Sequence, residues 1–471
     1  MRLFEILLLA AIIPLLVWPL LPWQRPRWVD FLAAAAALIL IASLIFEGYR
    51  WQMLPAYVLA GVVMLITAPR LLSPASQEKE WSASAVAGSL LGLLVWLVAL
   101  ALAMLLPVPR MPDVTGPYAI GTQSFHLVDG GREEIYTPDP ADKRELMMQV
   151  WYPADPAARG ETAVYFDDLS LVGPIMAERL GLPEFLLDHI ELVDLGAQKN
   201  VPVLVDEAPY PVLLFSHGLR GIRAQNTAMV RELVSQGFVV VTIDHVYGNG
   251  ITLFPDGRIA FYNPDVLSGE GDPPHTSNTL VDIWAGDLSF VLDQLQIWNE
   301  DAGSGFKSSL DLSKIGVFGH STGGGAAVTF CGRDERCRAG VGLDAWLVPV
   351  SDDILSAGLA GPFMLLQAEQ WAFDDAQQND RRADALLENL QETGYLARIA
   401  GANHYDFSDL PLFSPMTERL GLSSDMQGDY VVGMLNSMTS AFFRQALKGE
   451  GKNLVLGAAN YPEISIRGNG R

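Results

Sequence analysis

Four long apolar runs separated by short polar segments dominate the first 110 residues of the chain. The last run has 22 residues without a charge, which is enough to cross a bilayer, whereas the second and third lie near or below the usual minimum of about 17 residues. Tryptophans stand at the ends of the runs, where an indole ring suits the lipid headgroup zone. The pattern predicts about four transmembrane helices, over Leu3–Leu21, Phe31–Phe46, Met53–Ala68 and Ala85–Leu106.

The first run also has the position of a secretory signal peptide. It is long, however, it contains Pro14 and Pro19, and no small-residue cleavage site precedes Trp23. A retained helix is therefore the favoured interpretation, and the pattern predicts an integral membrane protein.

Basic residues between the runs predict the orientation of these helices. Two loops, residues 23–30 and 69–84, hold four Arg and Lys, whereas the opposite side holds three. Because the loops richer in Lys and Arg stay in the cytoplasm, both chain termini and the domain that follows the helices are expected outside it. The tryptophans and basic residues behind these expectations are Trp23, Trp28, Trp51, Trp81, Arg25, Arg27, Arg70 and Lys79 against Arg2, Arg50 and Arg110.

Beyond a Pro- and Gly-rich linker, short apolar runs alternate with helical stretches. Strands are predicted at 146–152, 211–216, 238–244, 315–319, 339–343, 363–368 and 397–400, and helices at 226–236, 280–298 and 430–447. Repeated β-α-β order predicts an α/β fold with a mostly parallel sheet and helices on both faces. We divide the chain into an anchor (1–110), a linker leading into the domain (111–125), an α/β domain (126–450) and a C-terminal tail (451–471).

Charge and cysteine content exclude two classes of partner. The chain has a formal net charge of −23, and its first 112 residues carry seven Arg and Lys against five Asp and Glu, so the acidic excess lies in the α/β domain. Such a domain repels phosphate backbones, and no nucleic-acid partner is expected. Cys331 and Cys337 are the two cysteines and could form a disulfide across a short loop. No Cys/His cluster has zinc spacing, so we expect no metal site.

The segment 315–325 carries the clearest chemical signal. It contains Gly319-His320-Ser321-Thr322-Gly323, a G-x-S-x-G motif between a predicted strand and a helix rich in small residues. A nucleophilic serine on such a strand-to-helix turn needs a sharp, strained backbone, and glycine on both sides removes the Cβ clash. The motif predicts Ser321 as the nucleophile of an α/β-hydrolase.

A serine nucleophile needs a histidine base and an acid, which follow it in this fold in the order Ser, acid, His. Of seven histidines, only His404 lies downstream of the serine motif, and it sits in a loop after a predicted strand. Four carboxyls satisfy the order: Asp344 directly after a strand, and Glu369, Asp374 and Asp375 after the next one. Sequence order alone leaves these four open.

The oxyanion of the reaction needs two backbone N–H donors. One is expected from Thr322, directly after the nucleophile. The loop Ser216–Gly221 (SHGLRG), which follows a predicted strand, is the candidate for the second, and the Leu219 amide is the expected donor.

Five segments together resemble the platelet-activating factor acetylhydrolases of the plasma, intracellular type II and bacterial group. The resemblance runs over roughly residues 116–447 and implies an α/β-hydrolase fold and calcium-independent ester hydrolysis without a cofactor. It also implies that the acid is Asp344, inside LDAW-like text, and that the oxyanion donors are Leu219 and Thr322. The family's animal members lack four N-terminal spans. The matching segments are SHGLRG, Asp244-His245, GHSTGGG, AGVGLDAW and NHYDF.

These patterns predict a membrane-anchored serine ester hydrolase that acts on phospholipid-like or other short-acyl esters through Ser321. We expect the Asp344 carboxylate within hydrogen-bond reach of His404, and the Ser321 hydroxyl on the other ring nitrogen. Two alternatives use the same sequence: a non-catalytic membrane scaffold on a hydrolase fold, and an acyltransferase or peptidase with the same triad.

Overall fold

The computed structural model describes residues 1–23, 25–72, 82–179, 181–269, 275–451 and 453–470. Lys79 and Trp81, on which part of the membrane prediction depends, lie outside the described residues. Within them the chain divides into two compact units.

The N-terminal unit contains four long helices, as the apolar runs predict. They are α1 (Leu3–Val17), α2 (Arg27–Phe46), α3 (Leu54–Leu72) and α4 (Ala83–Leu105). With the short 3-10 turns that extend two of them, all four are long and apolar enough to cross a membrane. Their mutual contacts bury small and branched side chains such as Ala33, Ala60 and Ala99, which lets the helix backbones approach closely.

Two later segments also belong to this unit, Phe166–Val193 and Phe413–Met416. The first carries helix α5 (Leu169–Arg179) and a 3-10 helix whose Phe185 ring lies 5.0 Å from the ring of Trp51. Both segments fall within the α/β domain predicted from the sequence, because local apolar patterning gives no signal of which unit a segment packs against.

The second unit is built on a sheet of eleven strands in the order β13-β12-β11-β10-β9-β5-β6-β2-β1-β4-β3. Strands β6, β5, β9, β10, β11 and β12 are parallel to one another, whereas β2 and β13 run antiparallel to the neighbouring edges of this block. The strands are β1 (Ala119–Glu133), β2 (Lys143–Ala154), β3 (Glu161–Thr162), β4 (Ala197–Lys199), β5 (Tyr210–Ser216), β6 (Val239–Asp244), β7 (Ile251–Leu253), β8 (Ile259–Phe261), β9 (Leu310–His320), β10 (Cys337–Leu343), β11 (Phe363–Ala368), β12 (Gly394–Ile399) and β13 (Ile464–Gly468).

Helices cover both faces of this sheet. Successive side chains of a strand point to opposite faces, and on β5 Val212 and Leu214 pack in a cluster with Val291 of one helix. Leu213, between them, lies beside Gly316, which approaches Phe443 of another helix. The predicted α/β architecture is therefore confirmed. The helices that follow α5 along the chain are α6 (Thr227–Ser235), α7 (Ser277–Glu300), α8 (Thr322–Arg333), α9 (Asp352–Ala357), α10 (Ala376–Asn389), α11 (Met416–Arg419), α12 (Gly428–Lys448) and α13 (Leu454–Ala458). The 3-10 helix that carries Phe185 in the N-terminal unit spans Glu184–Leu192, and the second unit has 3-10 helices at Val205–Glu207, Pro264–Leu267, His404–Phe407 and Leu410–Leu412.

The C-terminal segment contributes a strand to the sheet. β13 pairs antiparallel with β12, where the sequence analysis expects only a tail. None of its five residues is buried, so the sequence has no apolar run that would predict this strand. A disulfide joins Cys331 and Cys337 across the short connection between α8 and β10, with a Cα–Cα distance of 5.1 Å.

Candidate active site

Ser321 stands on the turn between β9 and α8. Its backbone has φ 55° and ψ −120°, a conformation that costs an L-residue about 1–3 kcal/mol and is typical of functional sites. A Cβ on Gly319 would overlap the backbone of Gly323, and one on Gly323 would overlap the carbonyl oxygens of Ser216 and His217. Close backbone approach thus requires glycine at both of these positions of the motif.

His404 and Asp344 are hydrogen-bonded to each other. The Nδ1–H of His404 donates to Asp344 Oδ2 at 2.6 Å, and the other carboxylate oxygen accepts from the amide of Ala368 at 3.0 Å. Asp344 directly follows β10 and has a positive φ of 39°. Because Nδ1 carries the proton in this pair, Nε2 is left with its lone pair, as a general base requires.

The other candidate acids are engaged elsewhere. The carboxylate of Glu369 accepts from the amide of Gly401 at 2.9 Å, and that of Asp375 accepts from two indole N–H groups at 2.6 and 2.7 Å. Neither these two nor Asp374 hydrogen-bonds to His404 in the part of the chain that the structure describes. The geometry therefore favours Asp344 among the four carboxyls that sequence order allows.

The His404 ring lies beside the serine turn within an aromatic setting. The Nε2–H of His320 donates to the carbonyl oxygen of His404 at 3.0 Å, and the rings of Trp371 and Phe373 stand edge-on at 5.0 and 5.1 Å. No hydrogen bond joins the Ser321 hydroxyl to His404 among the described residues. Such bonds are often long in free enzymes and tighten when substrate binds.

The loop after β5 lies against Ser321. A Cβ on Gly218 would be 3.3 Å from the Cβ of Ser321. Over the described residues, the amides of Leu219 and Thr322 donate no hydrogen bond to the protein, although Thr322 is buried. Buried amides are nearly always paired, so two amides beside Ser321 without a partner among the described residues are suited to bind an oxyanion.

The segment that carries His404 is fastened at several points. The Asp406 carboxylate accepts from the amide of Asn403 at 2.7 Å. Asp409 accepts from the amide of Ala228 at 3.1 Å and from the Tyr165 hydroxyl at 3.1 Å. Burial raises the pKa of Asp409 to about 7. These contacts tie the histidine loop to the start of α6.

One side chain that the sequence analysis does not single out connects the serine turn to the loop after β5. The carbonyl oxygen of the Gln225 side chain accepts from the amide of Gly218 at 3.1 Å, and its amide group donates to Nδ1 of His320 at 2.8 Å. His320 is thereby held as the neutral Nε2–H form, and burial lowers its pKa well below the usual value. A glutamine in a loop has no sequence signal for such a role.

The pair Asp244-His245 also lies behind the site. Asp244 accepts from the amide of Arg223 at 2.6 Å. His245 is completely buried and contacts Asp287 at 2.9 Å through Nδ1. The sequence offers a hint of the pair through its position after a strand, but none of Asp287, which comes from α7.

Comparison with known proteins gives a consistent family. A family model described as "Platelet-activating factor acetylhydrolase, isoform II" matches residues 106–252 and 278–454. A platelet-activating factor acetylhydrolase of Cavia porcellus is 25% identical over 373 residues, which cover 72% of this chain and 78% of that protein.

Two further proteins are similar over most of their length. A "Probable 1-alkyl-2-acetylglycerophosphocholine esterase" of Arthroderma benhamiae is 26% identical over 408 residues, covering 78% of this chain and 96% of its own. Among solved structures, a ferulic acid esterase from Streptomyces cinnamoneus matches with a TM-score of 0.61 and 25% identity, over 76% of this chain and 99% of that protein.

Proposed function

Because the chain belongs to the platelet-activating factor acetylhydrolase, isoform II, family, we propose that it is a serine carboxylic ester hydrolase that is anchored in a membrane. The observation that carries the proposal is the 2.6 Å hydrogen bond between His404 and Asp344, next to a serine with a strained backbone. In this proposal Ser321 is the nucleophile, His404 the base and Asp344 the residue that fixes the histidine tautomer.

Acylation follows from these roles. The Ser321 Oγ attacks the ester carbonyl carbon while Nε2 of His404 takes the hydroxyl proton. The carbonyl oxygen becomes an anion and accepts hydrogen bonds from the amides of Leu219 and Thr322. When the tetrahedral intermediate collapses, the bond to the alcohol oxygen breaks, and the imidazolium returns its proton to that oxygen. The alcohol leaves and the acyl group stays on Ser321.

Deacylation repeats the same steps with water. His404 removes a proton from a water molecule, the hydroxide attacks the acyl carbon, and the oxyanion is held by the same two amides. Collapse of this intermediate releases the carboxylic acid and returns the proton from His404 to Ser321 Oγ. None of these steps requires a metal or a cofactor.

The substrates proposed are short-acyl esters, phospholipid-like or small. Three names support them: one relative is a platelet-activating factor acetylhydrolase, another is a probable 1-alkyl-2-acetylglycerophosphocholine esterase, and the solved neighbour is a ferulic acid esterase. The aromatic rings of Trp371 and Phe373 beside His404 supply apolar surface for an acyl or alcohol group.

We further propose that residues 1–110 form the membrane anchor and that residues 126–450 carry the catalytic domain on the extracytoplasmic side. Four helices of suitable length and hydropathy support the anchor. An enzyme held in this way works next to lipid and needs no separate affinity for the bilayer surface.

Replacement of Ser321 by alanine tests the function directly. We expect turnover of p-nitrophenyl acetate to fall by roughly 10⁴-fold or more, because only binding and oxyanion stabilisation remain. Covalent labelling by a fluorophosphonate probe should disappear with it, and phospholipid esters of increasing acyl length would then define the preferred substrate.

The matched control is Ser313→Ala, since Ser313 lies exposed at the beginning of the same strand, β9. This variant should keep normal turnover and labelling. Continued labelling of the Ser321→Ala protein at another serine would overturn the assignment, and a wild-type chain that neither hydrolyses esters nor takes the probe would favour a non-catalytic scaffold.

A further inference from the structure

The four amides of residues 218–221 are used unequally. The amide of Gly218 donates to the Gln225 side chain, and those of Arg220 and Gly221 donate to backbone carbonyls at 2.9 and 2.8 Å. The Leu219 amide donates to no other described residue. Hydrogen bonds therefore hold three of the four amides, and the Leu219 N–H alone is left available to a ligand. Its direction depends on how the Gly218–Leu219 peptide is held.

The side chain of His217 binds the same peptide group from its other end. Its Nδ1 lies 2.7 Å from the carbonyl oxygen of Gly218, and its Nε2 lies 3.1 Å from the backbone N–H of His245. A backbone N–H can only donate, so Nε2 is the acceptor there and the proton sits on Nδ1. His217 is thus a neutral imidazole that donates to Gly218 and accepts from His245.

A trans peptide group is planar, with its C=O and N–H pointing in opposite directions. The Gly218 carbonyl and the Leu219 amide belong to one such group. Fixing the carbonyl oxygen on His217 and on the amide of Gly221 therefore turns the Leu219 N–H the opposite way. Gly218 borders on Ser321, so this peptide group belongs to the part of the loop that lies next to the serine.

We propose that His217 is a positioning residue for ester hydrolysis, which holds the Gly218–Leu219 peptide so that the Leu219 N–H faces the developing oxyanion. This inference rests on the proposed function and assigns to His217 a role through Leu219, without contact with the substrate. Glycine at 218 makes such a clamp necessary, because a glycine peptide unit has little steric resistance to turning over.

A buried polar network supports the clamp from below. Nε2 of His245 accepts from the Ser216 hydroxyl at 2.8 Å, and its Nδ1–H donates to Asp287 at 2.9 Å. Asp287 is also held by two hydrogen bonds from Arg144, at 2.7 and 3.1 Å. Both ring nitrogens of His245 thus have partners, which holds the residue in place and fixes its backbone N–H for His217.

Ser216, His245 and Asp287 have the residue types and order of contacts of a second catalytic triad. The Ser216 side chain is completely buried, however, so no substrate carbonyl can reach it. Arg144 neutralises the Asp287 carboxylate, and the His245 ring stacks on Trp284 at 4.3 Å. The arrangement is that of a rigid support for the oxyanion loop.

Burial keeps His217 in the state that the clamp needs. The pKa of His217 lies well below its usual value because the ring is completely buried, and the neighbouring His245 adds to the effect. Protonation would put a second N–H against the backbone N–H of His245. The clamp therefore stays neutral and closed at pH values where an ordinary histidine is already protonated.

Thionoesters distinguish a role in oxyanion binding from a merely structural role of His217. Sulfur is a much weaker hydrogen-bond acceptor than oxygen, so oxyanion donors accelerate an ester far more than its thionoester. For His217→Ala we expect kcat with p-nitrophenyl acetate to fall about 100-fold, the usual effect of losing one oxyanion donor, with little change in KM. Turnover of p-nitrophenyl thionoacetate should fall much less, so the ester-to-thionoester ratio of kcat/KM drops.

Three further variants complete the design. His217→Gln keeps a donor and an acceptor on one side chain and should recover most of the ratio. His217→Phe keeps a ring against Trp284, whose centroid lies 5.0 Å away, and should lose the ratio as alanine does, which covers the case of an alanine variant that does not fold. His126→Gln is the matched control, because it replaces a histidine on β1, outside the proposed site. It should leave the ester-to-thionoester ratio unchanged.

The outcomes separate this inference from the proposed function. If the alanine and phenylalanine variants lose ester and thionoester turnover equally, the ester-to-thionoester ratio of kcat/KM is unchanged. That result would overturn the role of His217 and leave the nucleophile assignment intact. Unimpaired hydrolysis by Ser321→Ala would overturn the proposed function itself.

Discussion

At the scale of single residues, each carboxylate oxygen of Asp344 accepts one hydrogen bond, and the two bonds have separate roles. One carboxylate oxygen accepts from the Ala368 amide and the other accepts from His404. The first bond fixes the rotation of the carboxylate, so the second oxygen is available to His404 at one position. Such a short side chain at a strand end has few rotamers to lose, which favours a defined histidine orientation.

Replacement of Asp344 by asparagine should therefore give a well-folded but almost inactive enzyme. The Asn oxygen would stay on the Ala368 amide, and its NH₂ group would face Nδ1 of His404. That nitrogen would then have to accept, so the proton would move to Nε2 and the base would be lost. We expect kcat to fall roughly 10⁴-fold, measured with p-nitrophenyl acetate.

Glu369→Gln is the comparison for this prediction. Its side chain can keep accepting from the Gly401 amide through the remaining oxygen, and among the described residues it forms no hydrogen bond with His404. Turnover should stay close to that of the wild type. A reversed result, with Glu369→Gln inactive and Asp344→Asn near normal, would move the acid to the later strand.

The sequence leads to Ser321 by its motif and to His404 by elimination, but it leaves four carboxyls for the acid without the family resemblance. The reason is that chain order does not specify which strand end meets the histidine loop. The supporting residues are harder still to predict, because Gln225 is one polar residue in the loop before α6 and Asp287 comes from the more distant α7, and no local pattern distinguishes either from ordinary polar residues.

At the scale of elements, the close approach of α8 to the end of β5 determines whether the serine turn between β9 and α8 can form. Gly323 is in the first turn of α8, and a Cβ there would overlap the carbonyl oxygens of Ser216 and His217. We expect Gly323→Ala to lower both stability and turnover severely, because backbone atoms, unlike side-chain ends, cannot move aside. Thermal unfolding and p-nitrophenyl acetate hydrolysis measure the two effects.

Gly433→Ala in α12 is the matched control, since a Cβ there meets no atom within 4 Å. It should raise stability by about 0.5–1 kcal/mol, because alanine is favoured over glycine inside a helix. Equal melting temperatures for the two variants would show that backbone crowding at the serine turn contributes nothing to the free energy of unfolding.

The elements themselves follow the sequence where they are buried on both faces. The continuous apolar runs of β5, β6 and β11 predict those strands within about one residue. β13 escapes prediction because it is an edge strand with no buried residue. Helix α5 packs in the N-terminal unit, and its assignment depends on tertiary contacts that patterning does not encode.

At the scale of the whole molecule, the topology rests on a small difference in charge between loops. If the two richer loops stay in the cytoplasm, an alkaline phosphatase fused after Gly116 should be active, and a green fluorescent protein at the same point should be dark. The control fusion after Leu72, at the end of α3, should give the opposite pair of signals. Fluorescence after Gly116 with an inactive phosphatase would place the catalytic domain in the cytoplasm.

The composition of the N-terminal unit has a practical consequence for anyone who wishes to obtain the hydrolase in water. The polypeptide enters this unit three times, at Met1–Arg110, Phe166–Val193 and Phe413–Met416. Leu192 approaches Gly48, and Phe185 packs on Trp51, so part of the unit's own apolar surface is supplied from the middle of the chain. Deleting the first 110 residues would leave these side chains without their partners. A soluble enzyme therefore calls for redesign of the middle insertion together with removal of the leading helices, because no single cut separates the two units.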